Sequence, residues 1–171
     1  MPQLHTRTKL LVILHTSEAK KPTNTGRLAA LCTDNSEVLI RGLPDQPLDL
    51  SSLAGQRALV LAPDDDATVV ERLEGPVTLV VPDGSWRQAS KMPRREPMLR
   101  DLPRVKLPPL LSRAPALRLE TKDNGLATFV AIAHALGVLE DAAIERRLLT
   151  FYDIVAERIL LARKGQINFV P

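Results

Sequence analysis

One cysteine, Cys32, in 171 residues excludes an intramolecular disulfide and any cysteine-cluster zinc site. Aromatic residues make up only 3% of the chain, so its core has to be assembled from Leu, Val, Ile and Ala. No apolar run approaches the ~20 residues that span a bilayer. The opening stretch, MPQLHTRTKLLVILH, carries no signal-peptide cleavage pattern after its short apolar run. A soluble, cytoplasmic protein with no membrane partner is therefore expected. There is no Walker loop, no G-x-G-x-x-G fingerprint and no internal repeat, which removes the common nucleotide-binding and solenoid architectures. His5, His15 and His134 show neither ligand spacing nor a triad context, so they are expected to be structural, and no metal site is expected.

What is present is an apolar fraction of 44%, enough for one well-packed domain over residues 1–171, with its core at about 10–162. The formal net charge is only +3, yet Trp86 to Arg118 holds nine basic residues against Glu96 and Asp101. That segment carries +7, which leaves −4 on the rest of the chain. A basic stretch of this density suits a polyanion such as nucleic acid, although charge runs are more often simply solvated faces.

The chain is organised around VTLVVPDGSWRQASKM, residues 77–92. Val77 to Val81 reads as a strand buried on both faces, expected to stop at a turn formed by Pro82, Asp83 and Gly84. Ser85 offers a helix N-cap, and Trp86 opens a short helical register with Arg87, Gln88 and Lys91. Strand, tight turn and helix start is where open α/β sheets bind ligands. Asp83 projects from the strand end, and Gly84 allows close approach to the backbone. Trp86, the lone tryptophan, could wall a base or adenine ring, or sit in the core.

Elsewhere, Lys9 to His15 reads as a buried strand. Thr23, Asn24 and Thr25 form an N-cap cluster before a helix, suited to a carboxylate or to simple capping. Glu37 to Arg41 and Arg57 to Ala62 are further strands. A helix from about Ala67 to Leu73, capped by Asp64 to Asp66, is expected next. The prolines of residues 93–115 exclude long helices and leave Arg104 to Leu107 and Ala116 to Leu119 as short strands. Asn124-Gly125 is a turn, Thr128 to Leu136 a helix ended by Gly137, and Asp141 caps a long amphipathic helix. Its main stripe is Ile144, Leu148, Phe151, Val155 and Ile159, with Leu149, Tyr152 and Leu160 as a second one. Together these elements predict an α/β fold, a mainly parallel sheet flanked by helices.

The stretch PDGSWRQASKM resembles the signature of the DTW-domain family, with Asp83, Gly84, Ser85 and Trp86 in its Asp-x-Thr-Trp positions and Ser85 replacing the usual Thr. His15-Thr16-Ser17-Glu18, Asn24-Thr25-Gly26 and Gly125-Leu126-Ala127-Thr128 resemble its other motifs, with Pro missing after His15 and with Ala127 and Val130 in place of a Ser and a Glu. The resemblance implies a fold related to the knotted SPOUT methyltransferases, with a trefoil knot. It also implies transfer of the 3-amino-3-carboxypropyl group of S-adenosylmethionine to N3 of a uridine in tRNA, with release of 5′-methylthioadenosine. The zinc-binding cysteine cluster of many members is missing. Carried over by position, Asp83 is the catalytic base or orients the uridine. Pro63, Pro82, Gly84, Ser85, Trp86, Gly125, Leu126 and Thr128 would contact S-adenosylmethionine, and Asn24, Thr25, Arg87, Lys91, Arg94 and Arg95 the tRNA. A SPOUT-like RNA methyltransferase and a non-catalytic RNA-binding domain are the competing expectations. Oligomeric state is not legible.

Overall fold

The β-branched run at Val77 becomes an inner strand of one six-stranded parallel sheet. The structure, a computed structural model, describes residues 1–62, 64–108 and 127–165. Its strands are β1 (Lys9–His15), β2 (Ser36–Arg41), β3 (Ala58–Leu61), β4 (Thr68–Val69), β5 (Thr78–Asp83) and β6 (Arg104–Lys106). Its helices are α1 (Thr16–Ala19), α2 (Thr25–Ala30), α3 (Trp86–Arg95), α4 (Pro97–Arg100), α5 (Thr128–Leu139) and α6 (Ala142–Arg163). Strand order is β2-β1-β5-β3-β6-β4, and all the pairings are parallel. The expected α/β class and parallel sheet are thus observed. The trefoil knot turns on the path from β6 to α5, residues 109–126, outside the described residues, as is the strand expected at Ala116 to Leu119.

Two apolar layers follow from the period of two along a strand. Leu10, Val12 and Leu14 of β1, with Leu79 and Val81 of β5, pack with α2, α5 and α6 on one face. Leu11 and Ile13 of β1, with Val80 of β5, pack with Leu50, Leu53, Met92 of α3 and Leu99 of α4 on the other. This alternation decides where the strand-end residues go. Asp83 is in phase with Leu79 and Val81, and His15 is in phase with Leu11 and Ile13.

Four expectations are corrected. β5 does not stop at Val81 but runs through Pro82 to Asp83. Thr78 N donates to Arg57 O beside β3, so alternation aims the Pro82 nitrogen the same way, past the last β3 pair, Val60 with Val80. The missing N–H therefore breaks no ladder bond.

No helix forms at Ala67 to Leu73. Thr68–Val69 is instead β4 beside β6, with Val70 N donating to Lys106 O, because three β-branched residues before Gly75-Pro76 favour a short edge strand. The acidic run caps nothing there. Arg104 lies 3.3 Å from Asp64 and 3.9 Å from Asp66.

Gly137 lies inside α5, which continues to Leu139. A Cβ at Gly137 would strike the Glu145 side chain, so this glycine permits close approach of α5 and α6. On α6, capped by Asp141 as expected, the buried line is Leu148, Tyr152 and Ala156, with Phe129 stacked on Tyr152 at 4.9 Å. Tyr152 and Leu149 therefore belong to the core, not to a spare stripe. In the proline-rich segment α3 passes through Pro93 and breaks at Glu96, held extended before Pro97, so only short helices form.

Candidate functional site

The inward half of the signature is a buried carboxylate. Asp83 ends β5 at 5% exposure, on the α2 and α5 face. Asn24 Nδ2 donates to its Oδ2 at 2.7 Å, and Thr128 Oγ1 donates to its Oδ1 at 2.7 Å. Asn24 is also the N-cap of α2, accepting from Arg27 N at 2.7 Å, and Thr128 is the first residue of α5. One side chain therefore ties a strand end to two helix starts. Gly26 makes this geometry possible, because a Cβ there would sit 2.5 Å from Asp83 Oδ2 and 3.2 Å from Val12 Cγ1. Burial pushes the Asp83 carboxyl above the ordinary aspartate value, opposed by the bonds from Thr128 and Asn24. The carboxylate expected at the Thr23 to Thr25 cluster is thus the chain's own. Asn24 and Thr128, expected to face tRNA and S-adenosylmethionine, turn their polar atoms to Asp83. Thr25 opens α2, half-buried.

The outward half is open. Ser85 caps α3 in a reciprocal box: Gln88 N donates to Ser85 Oγ at 3.4 Å, and Ser85 N donates to Gln88 Oε1 at 2.8 Å. The two bonds fix the start of α3, and Trp86 leaves the sheet 62% exposed, which overturns its reading as a core residue. Pro82 is buried in β5, and Gly84 is half-buried under Gln88 and His15. Arg87, Lys91, Arg94 and Arg95 are all exposed, and their spacing groups them on one helix face. Arg94 lies 3.7 Å from Asp64. Arg104 and Lys106, by contrast, are held by the acidic run, Lys106 Nζ donating to Asp65 O at 2.9 Å. Pro63, Gly125 and Leu126 lie outside the described residues.

Two neighbours were given no role at the site by sequence. Gln88 reaches His15 Nε2 at 3.5 Å and Ser17 Oγ at 3.4 Å through its Nε2, and His15 Nδ1 lies 2.8 Å from Ser17 Oγ. The signal for Gln88 is present in Ser85-x-x-Gln88, a capping-box pattern. His15 was visible as the last residue of a buried strand and the first of the His15-Thr16-Ser17-Glu18 motif, but was expected to be structural. Among the described residues no group of three or more His, Cys, Asp or Glu could hold a metal ion, and no helix is long and apolar enough to cross a membrane.

The DTW domain family model matches residues 1–160. A tRNA-uridine aminocarboxypropyltransferase 2 from Macaca fascicularis is 30% identical over 147 residues, which cover 80% of this chain and 49% of that protein. A protein of the same name from Drosophila melanogaster is 27% identical over 141 residues, covering 77% of this chain and 56% of its own length. The chain spans about half the length of the curated relatives it matches. No solved structure matches it significantly.

Proposed function

The chain belongs to the DTW domain family, and from that premise we propose that it transfers the 3-amino-3-carboxypropyl group of S-adenosylmethionine to N3 of a tRNA uridine. The observation that carries this reading is the divided signature. Its Asp83 fixes three elements from within, and its Trp86 stands exposed beside a helix face of four cations.

The exposed side chains have the right chemistry for both substrates. S-adenosylmethionine presents an adenine ring, for which the exposed indole of Trp86 is a stacking partner. When bound, this donor supplies a sulfonium-activated carbon whose leaving group is methylthioadenosine. Choosing the aminocarboxypropyl carbon over the methyl is a matter of holding the uridine in line with it. The rigid Ser85 to Gln88 box provides a fixed platform for that alignment. Arg87, Lys91, Arg94 and Arg95 offer phosphate contacts that position tRNA without reading its sequence. In this reading Asp83 positions rather than reacts, since each of its oxygens already accepts a bond and little of it is exposed. A cytoplasmic setting, where tRNA is met, belongs to the same proposal.

The test incubates the full chain with tRNA and S-adenosylmethionine, followed by nucleoside mass spectrometry and identification of the released thioether. Methylthioadenosine with aminocarboxypropyl-uridine is expected. S-adenosylhomocysteine with a methylated nucleoside would make the chain a methyltransferase, and neither product with tRNA still bound would make it a binding domain.

A further inference from the structure

Deprotonating a uridine imide needs an acceptor whose lone pair is open to the bound base. Asp83 is turned to the α2 and α5 face with both oxygens engaged. His15, one step beyond the Leu14–Asp83 pair, points to the opposite face. There it meets Gly84, where a Cβ would be 3.4 Å from its own Cβ, and the capping-box amide of Gln88. Resting on the transferase reading above, we infer that His15 is the group that takes the uridine N3 proton, held for this by Gln88 and Ser17.

The hydrogen bonding defines which nitrogen acts. Gln88 Oε1 is committed to Ser85 N–H, so only the amide nitrogen, a donor, faces His15 Nε2. That arrangement selects a ring whose lone pair is at Nε2 and whose Nδ1–H donates to Ser17 Oγ, 2.8 Å away. The other tautomer uses Nδ1 to accept from Ser17 N at 3.2 Å, capping α1, so the ring has a local partner in either form. At 3.5 Å the Gln88 contact holds the Nε2 lone pair only weakly and yields to a stronger donor such as an imide N–H.

The charged groups on the surrounding elements are largely paired. Arg41, across from His15 on β2, is bound to Glu96, and Glu18 accepts from Lys21 at 2.7 Å. Asp83 lies on the far face of β5, and α3 contributes Arg87 and Lys91. In the step itself the N3 proton passes to His15 Nε2 as the N3 electron pair bonds the arm's γ-carbon. The carbon–sulfur bond breaks, and its electrons leave on the sulfur of methylthioadenosine. The imidazolium then returns its proton to water. An imidazole suits this step because one ring nitrogen can accept the proton while the other is held by a hydrogen bond.

His15→Asn keeps an N-cap acceptor for Ser17 N–H but removes the base. Single-turnover methylthioadenosine release is measured against pH on ordinary tRNA and on tRNA transcribed with 5-fluorouridine, whose imide is more acidic. The variant should lose about 10²-fold or more in rate at neutral pH, and recover most of the loss at alkaline pH and on fluorinated tRNA, with donor binding by calorimetry unchanged. If His15→Asn does not fold, His15→Gln is used for the same comparison. Equal loss on both tRNAs, or a wild-type rate from the variant, overturns the base role. A wild type that releases no methylthioadenosine overturns the transferase reading and this inference with it.

Discussion

Asp83 and Trp86 stand three residues apart in one motif and occupy opposite environments. Asp83 is buried and bonded to Asn24 and Thr128, while Trp86 is open to solvent at the start of α3. Alternation along β5 sends the carboxylate toward α2 and α5, and the Ser85 cap turns the chain out of the sheet before the indole. The difference teaches that a short signature can combine a buried anchor with an exposed face, and that the most eye-catching acid in it holds the fold together.

The largest effect expected from this contrast is on stability. Asp83→Ala strips the acceptor from two donors, each worth roughly 1–3 kcal/mol when left unpaired in the interior. Urea unfolding should show a loss of that order, summed over both, whereas Trp86→Ala should leave the midpoint nearly unchanged. Trp86→Ala should instead weaken donor or tRNA binding by about 1–3 kcal/mol, the size of a lost ring stack, measured by calorimetry. Destabilisation by Trp86→Ala comparable with that of Asp83→Ala would break the comparison.

A smaller effect is expected on the cationic face. Arg94→Glu with Arg95→Glu should weaken tRNA binding and flatten its salt dependence by about 0.7–0.9 in slope for each phosphate no longer neutralised, while S-adenosylmethionine affinity holds. Arg95 should contribute more than Arg94, whose guanidinium lies 3.7 Å from Asp64.

The smallest effect is a pH dependence with opposite signs at two buried acids. The Asp83 carboxyl is raised by burial, so its contribution is full below the ordinary aspartate value and is lost as pH rises through the raised folded value. Glu140 is also pushed up by burial, but bonds from the Thr8 hydroxyl and N–H and from Arg7 leave it below the ordinary glutamate value. Its contribution is present above that value and is lost as pH falls through the depressed one. Urea midpoints across acidic pH should therefore shift in opposite directions for Asp83→Asn and Glu140→Gln relative to wild type.

Much of this architecture was legible in the sequence for identifiable reasons. Leu10 to Leu14 and Leu79 to Val81 are unbroken apolar runs, and Asn24, Ser85 and Asp141 are strong caps, so each appears where expected. Thr68–Val69 was misread because a short polar-flanked stretch has no decisive period, and β6 as a neighbour decided its form. Gly137 was misread because a glycine that admits Glu145 looks the same in sequence as one that ends a helix. At the site, the motif marked the right residues but could not say which way each faces. That depends on strand phase, which placed Asp83 under α5 and His15 under α3.

The central claim, that Asp83 positions and the outward face reacts, meets its most direct test in Asp83→Asn. An amide there can still accept from Asn24 and can donate to the rotatable Thr128 hydroxyl, so the scaffold survives while the proton acceptor is gone. Single-turnover methylthioadenosine release at neutral pH should stay within about tenfold of wild type if Asp83 only positions. A loss of roughly 10²-fold or more, with fold and donor binding intact, would contradict that role and make Asp83 the base.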